Sequence, residues 1–170
     1  DLRRSANVAC WPAQRQLERD THAALRKVGW SAVRGSPERF SREEPHGFVF
    51  SQAMGREVFA SIHPESPLII AEAVWQYSHH VLIGLQHHRG PILLLSNWSG
   101  QWPGLVGLLN LRASLTKANV KHSVLWGERF DDPAFLRKLG QWCNRGDISH
   151  DLSHVKPLNL DTHPTRVCTL

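Results

Sequence analysis

Between Ser96 and Trp102 the chain reads Ser-Asn-Trp-Ser-Gly-Gln-Trp, a run of hydroxyls, carboxamides and indoles. Asn97, Ser99 and Gln101 can donate and accept hydrogen bonds, which suits a ligand rich in hydroxyl groups. Trp98 and Trp102 offer flat faces on which a sugar ring can stack, and Trp75 is a further candidate contact. Each has a structural alternative. Polar loop residues satisfy backbone groups, and an indole such as Trp102, placed before Pro103, can pack inward. The run is unlike a glycine-only phosphate loop. Neither Gly-x-Gly-x-x-Gly nor Gly-x-x-x-x-Gly-Lys-Ser/Thr occurs, which argues against a nucleotide site.

Other groups carry weaker chemical signals. Glu72 ends the apolar run Leu68–Ala71, where a carboxylate is costly unless paired. It is either an anchor for the segment 75–78 or the first exposed residue after the strand. The pairs His79-His80 and His87-His88 suggest metal, but adjacent helical residues point about 100° apart and do not face one ion. Glu128, Asp131 and Asp132 cluster, with Asp132 most simply a helix cap. No Ser-His-Asp or Cys-His set stands at a recognisable spacing.

The elements that must position these residues alternate in type. A helix is expected from Pro12 to Val28, its inner stripe Leu17, Thr21, Ala24, Leu25 and Val28, closed by Gly29. A short strand follows over 30–34, then a loop rich in charge, Pro and Gly over 35–47. Ser51 caps a helix to about Ile62. Strands are expected at 68–73, 91–95 and 121–126, with helices at 76–87, 103–117 and from Asp132-Pro133 to Gly146. This alternation predicts an α/β fold: a three-layer, Rossmann-like (flavodoxin-like) parallel sheet. Ser96–Trp102 then occupies a strand-to-helix crevice, where free N–H groups and a helix dipole point at ligands.

One strand is missing from this pattern. The first helix of such a fold normally follows a central strand, and nothing suitable precedes Pro12. The sheet is therefore expected to lack its first central strand, leaving its neighbours unpaired and the domain marginally stable. Residues 1–150 read as this incomplete α/β domain and 151–170 as an irregular tail or linker, in a piece of something longer.

Composition narrows the function classes. The 170 residues carry a net charge of +5, but the basic residues are scattered, so nucleic-acid binding is not expected. No apolar run approaches a membrane span. Cys10, Cys143 and Cys168 are odd in number and far apart, fitting neither a disulfide framework nor a zinc knuckle, so a cytoplasmic setting is the default.

The segments Ser96–Asn110 with Ser114–Lys117, Trp126–Leu136, Glu72–Ser78, and Asp1-Leu-Arg-Arg with Trp11-Pro12 together resemble the N-terminal domain of the L-fucose and L-arabinose isomerase superfamily, on the fucose-isomerase side. The resemblance covers roughly 1–155. It implies an aldose–ketose isomerase acting through an enediol, with Mn²⁺ on two sugar oxygens and carboxylates moving the proton. It also implies that those carboxylates and the metal ligands belong to other domains, so this chain holds no catalytic residue and no metal ligand and turns over no sugar alone. Its implied role is to form a homo-oligomer and a wall of a neighbouring subunit's site. Arg3 or Arg4 would match a substrate-contacting arginine and Trp98 a substrate-contacting tryptophan, the latter displaced by a few positions. The implied ligand is a monosaccharide. The rival class is a non-enzymatic sugar-binding or sensory domain.

Overall fold

The computed structural model describes residues 3–75, 77–98, 101–102, 104–146 and 166–169. Its first element, α1 (Arg4–Lys27), begins eight residues before the expected start and carries Pro12 inside it. Proline removes one helical hydrogen bond, the one to the carbonyl four residues back. That carbonyl belongs to Val8, an exposed residue, so the loss falls on the outer side of the helix. The buried stripe runs Asn7, Cys10, Gln14, Leu17, Thr21, Ala24 and Leu25, so it is polar in its first half. Gly29, at φ 84°, ends the helix, and the Trp30 N–H returns to the Leu25 carbonyl at 2.9 Å.

The later elements fall close to expectation. They are β1 (Ser31–Arg34), α2 (Gln52–Ser61), β2 (Leu68–Glu72), α3 (His79–His87), β3 (Ile92–Asn97), α4 (Gly104–Lys117), β4 (Ser123–Gly127) and α5 (Pro133–Arg145). Ser51 caps α2 by accepting from the Met54 N–H at 3.2 Å. Asp132 caps α5 through the N–H groups of Ala134 and Phe135 at 2.8 and 3.1 Å. Three boundaries moved by two residues or more: α3 starts three residues late, β4 starts two late, and β3 extends through Ser96 and Asn97 into the expected polar loop.

A tenth element, β5 (Arg166–Thr169), forms inside the segment read as irregular. The sheet is all parallel, in the order β1-β5-β2-β3-β4. The expectation of an empty central position is thus corrected. The position is filled by β5, which pairs β1 along Ser31–Arg34 and β2 at Leu68 and Ile69. Neither neighbour is left with a bare inner edge, which removes the reason for expecting marginal stability.

Helices cover both faces. Leu17, Ala24 and Leu25 of α1 and Leu139 and Trp142 of α5 pack with Ile69, Leu93, Leu95 and Leu125 on one side. Val58 of α2, Leu85 of α3 and Leu108, Leu111 and Leu115 of α4 pack with Leu68, Ile70, Ile92 and Leu94 on the other. At about 1.5–3 kcal/mol per fully buried large apolar side chain, these two layers are the main stabilising contribution. They also explain why β2 and β3 read as unbroken apolar runs. Among the described residues, no helix is long and apolar enough to cross a membrane.

Candidate functional site

The candidate residues at and after the carboxyl ends of β2, β3 and β4 fall into three groups. Alternation sends Asn97 to the α1/α5 face, with Leu93 and Leu95, and Glu72 to the α2/α3/α4 face, with Leu68 and Ile70.

The first group is the aromatic rim. Trp98, just after β3, and Trp126, near the end of β4, are 56% and 52% exposed. Their ring centroids are 6.4 Å apart and tilted by 42°. The Trp98 N–H donates to the Gly127 carbonyl at 2.9 Å, which fixes the backbone from which this indole projects. Asn97 is half-buried beside it, and its Oδ1 is enclosed without a hydrogen-bond partner among the described residues. It faces a cavity of about 290 Å³ bordered by Asp20, Lys27, Glu128 and Phe130. Gln101 is exposed. Trp102 packs against the core, so its inward reading holds. Ser99 lies outside the described residues, as does Pro103.

The second group brings together two candidates far apart in sequence. The Arg3 guanidinium carbon lies 4.9 Å from the Trp75 ring centroid and 5.2 Å from that of Tyr77. The two rings meet edge to face at 4.8 Å. A cation over such a pair gains about 0.5–2 kcal/mol, depending on desolvation. Arg4 points elsewhere: its Nε is 3.3 Å from Glu44 Oε2, and it donates to the Glu43 carbonyl. It holds the loop over 35–50 and does not join Arg3.

The third group surrounds Glu72. This residue is buried, so it is not the first exposed position after the strand. Its Oε1 has no hydrogen-bond partner among the described residues. Burial pushes its carboxyl up to about 8, keeping the group neutral at pH 7. Gly107 of α4 makes the close approach possible: a Cβ there would lie 2.5 Å from Glu72 Oε2 and 2.9 Å from the Val74 carbonyl.

Around this acid the polar groups are committed to the backbone. Gln14 donates to the Ala71 carbonyl at 2.8 Å and accepts from the Ala73 N–H at 3.0 Å, clamping the end of β2 to α1. Arg34 pairs with Glu18 at 3.2 Å and donates to the carbonyls of Ser36, Pro37 and Gly47. Ser96 Oγ donates to the Glu72 carbonyl at 2.8 Å, which makes it a strand tie. His80 Nδ1 is 3.1 Å from the Val49 carbonyl. Burial and the neighbouring His79 hold its pKa below the usual histidine value, against a smaller opposite effect of that carbonyl.

The histidine pairs do not assemble a metal centre. His87 Nδ1 lies 2.8 Å from the Ile83 carbonyl and His88 Nε2 2.8 Å from that of Ser66. Among the described residues, no group of three or more His, Cys, Asp or Glu side chains could hold a metal ion. The oxygen-rich donor set that Mn²⁺ requires is absent from them, and no step is assigned to a metal on this chain. The cysteines are buried, with Cys143 pushed up to about 12 and Cys168 to about 11 by burial, so neither is a nucleophile at neutral pH.

No family model, curated protein or solved structure matches this chain.

Sequence reasoning missed Gln14, Arg34 and Gly107 as parts of this region. Gln14 did leave a signal, being a carboxamide in phase with the apolar stripe of α1. Gly104 and Gly107, three apart on a helix, were a second signal of close contact with a neighbouring backbone.

Proposed function

We propose that this chain supplies the substrate-facing wall and a subunit contact of a metal-dependent aldose–ketose isomerase. In this reading the reaction carboxylates and the Mn²⁺ ligands come from outside the chain, and the protein works as a homo-oligomer. The observation that supports it best is the exposed Trp98–Trp126 pair at the carboxyl edge of the sheet. Two indoles projecting from adjacent strands form an apolar platform of the kind that a sugar's C–H face can cover. Asn97 beside them has an enclosed oxygen able to accept from a hydroxyl. Arg3, held over Trp75 and Tyr77, adds a donor fork for hydroxyl or carbonyl oxygens.

The test is binding of a panel of aldoses and ketoses to the 170-residue chain, followed by tryptophan fluorescence and saturation-transfer NMR. The expected result is millimolar binding of a subset of sugars, weakened about tenfold or more by Trp98→Ala, with no aldose–ketose conversion in the presence of Mn²⁺. Absence of sugar binding would refute the wall reading. Binding that persists unchanged in Trp98→Ala would remove the platform from it. Sugar conversion by this chain alone would place catalytic groups here and overturn the assignment of chemistry to other domains. The alternative, a sugar-binding or sensory domain without an isomerase partner, shares the platform, and it gains if binding proves micromolar and independent of any other chain.

A further inference from the structure

On the opposite face of the sheet from Asn97, a cavity of about 70 Å³ opens between β2, α3 and the loop 36–49. At roughly 10–15 Å³ for each enclosed water, it has room for about five, the size of a small molecule or the end of a larger one. Phe48, Val49, Ile70, Val81 and Leu111 make most of its wall apolar. Glu72 lines it, fully buried, with Oε1 unpartnered among the described residues.

Several of the other polar groups facing the same space are already engaged. Gln14 on α1 uses both ends of its amide on β2. Arg34 on β1 is paired with Glu18 and three carbonyls. Ser78 is 3.1 Å from Ser114 Oγ, and His80 faces the Val49 carbonyl. Tyr77 stands edge-on to Trp75. Among the described lining residues, the Glu72 carboxyl is the buried acid with an oxygen left unpartnered.

We infer that this cavity binds a small neutral group bearing a carbonyl or hydroxyl oxygen, which Glu72 holds by donating a hydrogen bond from its carboxyl. An apolar wall with one convergent donor is the usual form of a small-molecule site. A cation is disfavoured because the Arg34 guanidinium faces the same space, and an anion because that guanidinium is already committed. Recognition by an un-ionised acid makes binding pH-dependent: the ligand holds the proton on Glu72, and the proton holds the ligand. This inference does not rest on the sugar reading, although Tyr77 both lines the cavity and lies under Arg3.

The experiment follows the Glu72 carboxyl by ¹³C NMR in the full chain while pH is varied, alone and with acetone up to hundreds of millimolar. Acetone is the neutral carbonyl probe; methylammonium and acetate are the cationic and anionic controls. The expected result is that acetone shifts the signals of Phe48, Val81 and His80 and raises the Glu72 midpoint, by about one pH unit at ten times its Kd. Glu72→Leu should abolish acetone binding, whereas Glu72→Gln, which keeps an N–H donor, should retain it without the pH dependence. The titration uses the unaltered chain, so it decides the matter even if neither variant folds. Methylammonium that binds and lowers the midpoint, acetate that binds there, or acetone that moves neither midpoint nor lining signals would each overturn the inference.

Discussion

Replacing Glu72 by Gln should make the protein more stable, by an amount that grows with pH. The carboxyl sits between α4 and the end of β2 with an unpartnered oxygen, and burial moves its pKa from 4.5 to about 8. A raised acid pKa means that the native state keeps a proton which the unfolded chain gives up. This contribution is therefore fully present below about pH 4.5, falls as pH rises, and levels off above about pH 8. At 1.36 kcal/mol per pH unit, the shift corresponds to a loss of ~5 kcal/mol over the whole window and ~4 kcal/mol between about pH 5 and about pH 9. Glutamine keeps the shape and has no proton to lose. Urea unfolding of both proteins across this range gives the difference directly, and the pH effects of all other groups cancel in it. Glu72→Gln should gain on the wild type by a few kcal/mol from the acid to the alkaline end, with equal m-values. A difference flat with pH would refute the reasoning, since it would mean that Glu72 ionises in the folded state as it does in the unfolded one.

Three other perturbations probe the frame around the sites. Gln14→Leu should cost about 2–4 kcal/mol in chemical unfolding, because it strands the Ala71 carbonyl and the Ala73 N–H inside the protein. Asp132→Ala should cost about 1 kcal/mol by the same measurement, from loss of the cap on Ala134 and Phe135. Truncation before Arg166 should abolish cooperative unfolding followed by circular dichroism, because β1 and β2 then lose the strand that joins them; an unchanged transition would show that β5 contributes little.

The repeating part of the fold was legible because it rests on local signals. Asp132-Pro133, Ser51 and the glycines at 29 and 146 mark helix ends through capping groups and positive φ, and each acts where the sequence places it. The early start of α1 was not legible. Pro12 resembles a first-turn residue, and only tertiary packing of Asn7 and Cys10 carries the helix further back. β5 escaped for a different reason: four residues are too few to establish a period, and what selects them is the slot between β1 and β2. Within the site, the sequence indicated residue types and left their partners open. It marked Glu72 as costly and offered two roles for it, anchor of the segment 75–78 or first exposed residue after the strand. Its burial depended on Gly107, thirty-five positions on, letting α4 close over the carboxyl. Arg3 and Trp75 were named on separate grounds, and their contact is a product of the fold.

The placement of β5 also sets a timetable for biosynthesis. Thr169 Oγ1 meets the Val33 carbonyl across 136 positions of sequence, and β1 has no other strand partner among the described residues. On a ribosome, β1 emerges early and stays unpaired while β2, β3 and β4 assemble, until Arg166–Thr169 has left the exit tunnel. Pairings of such long range form slowly and leave nascent edges open to other chains. Expression of this protein should therefore depend on chaperones and on low temperature more than its finished core would suggest.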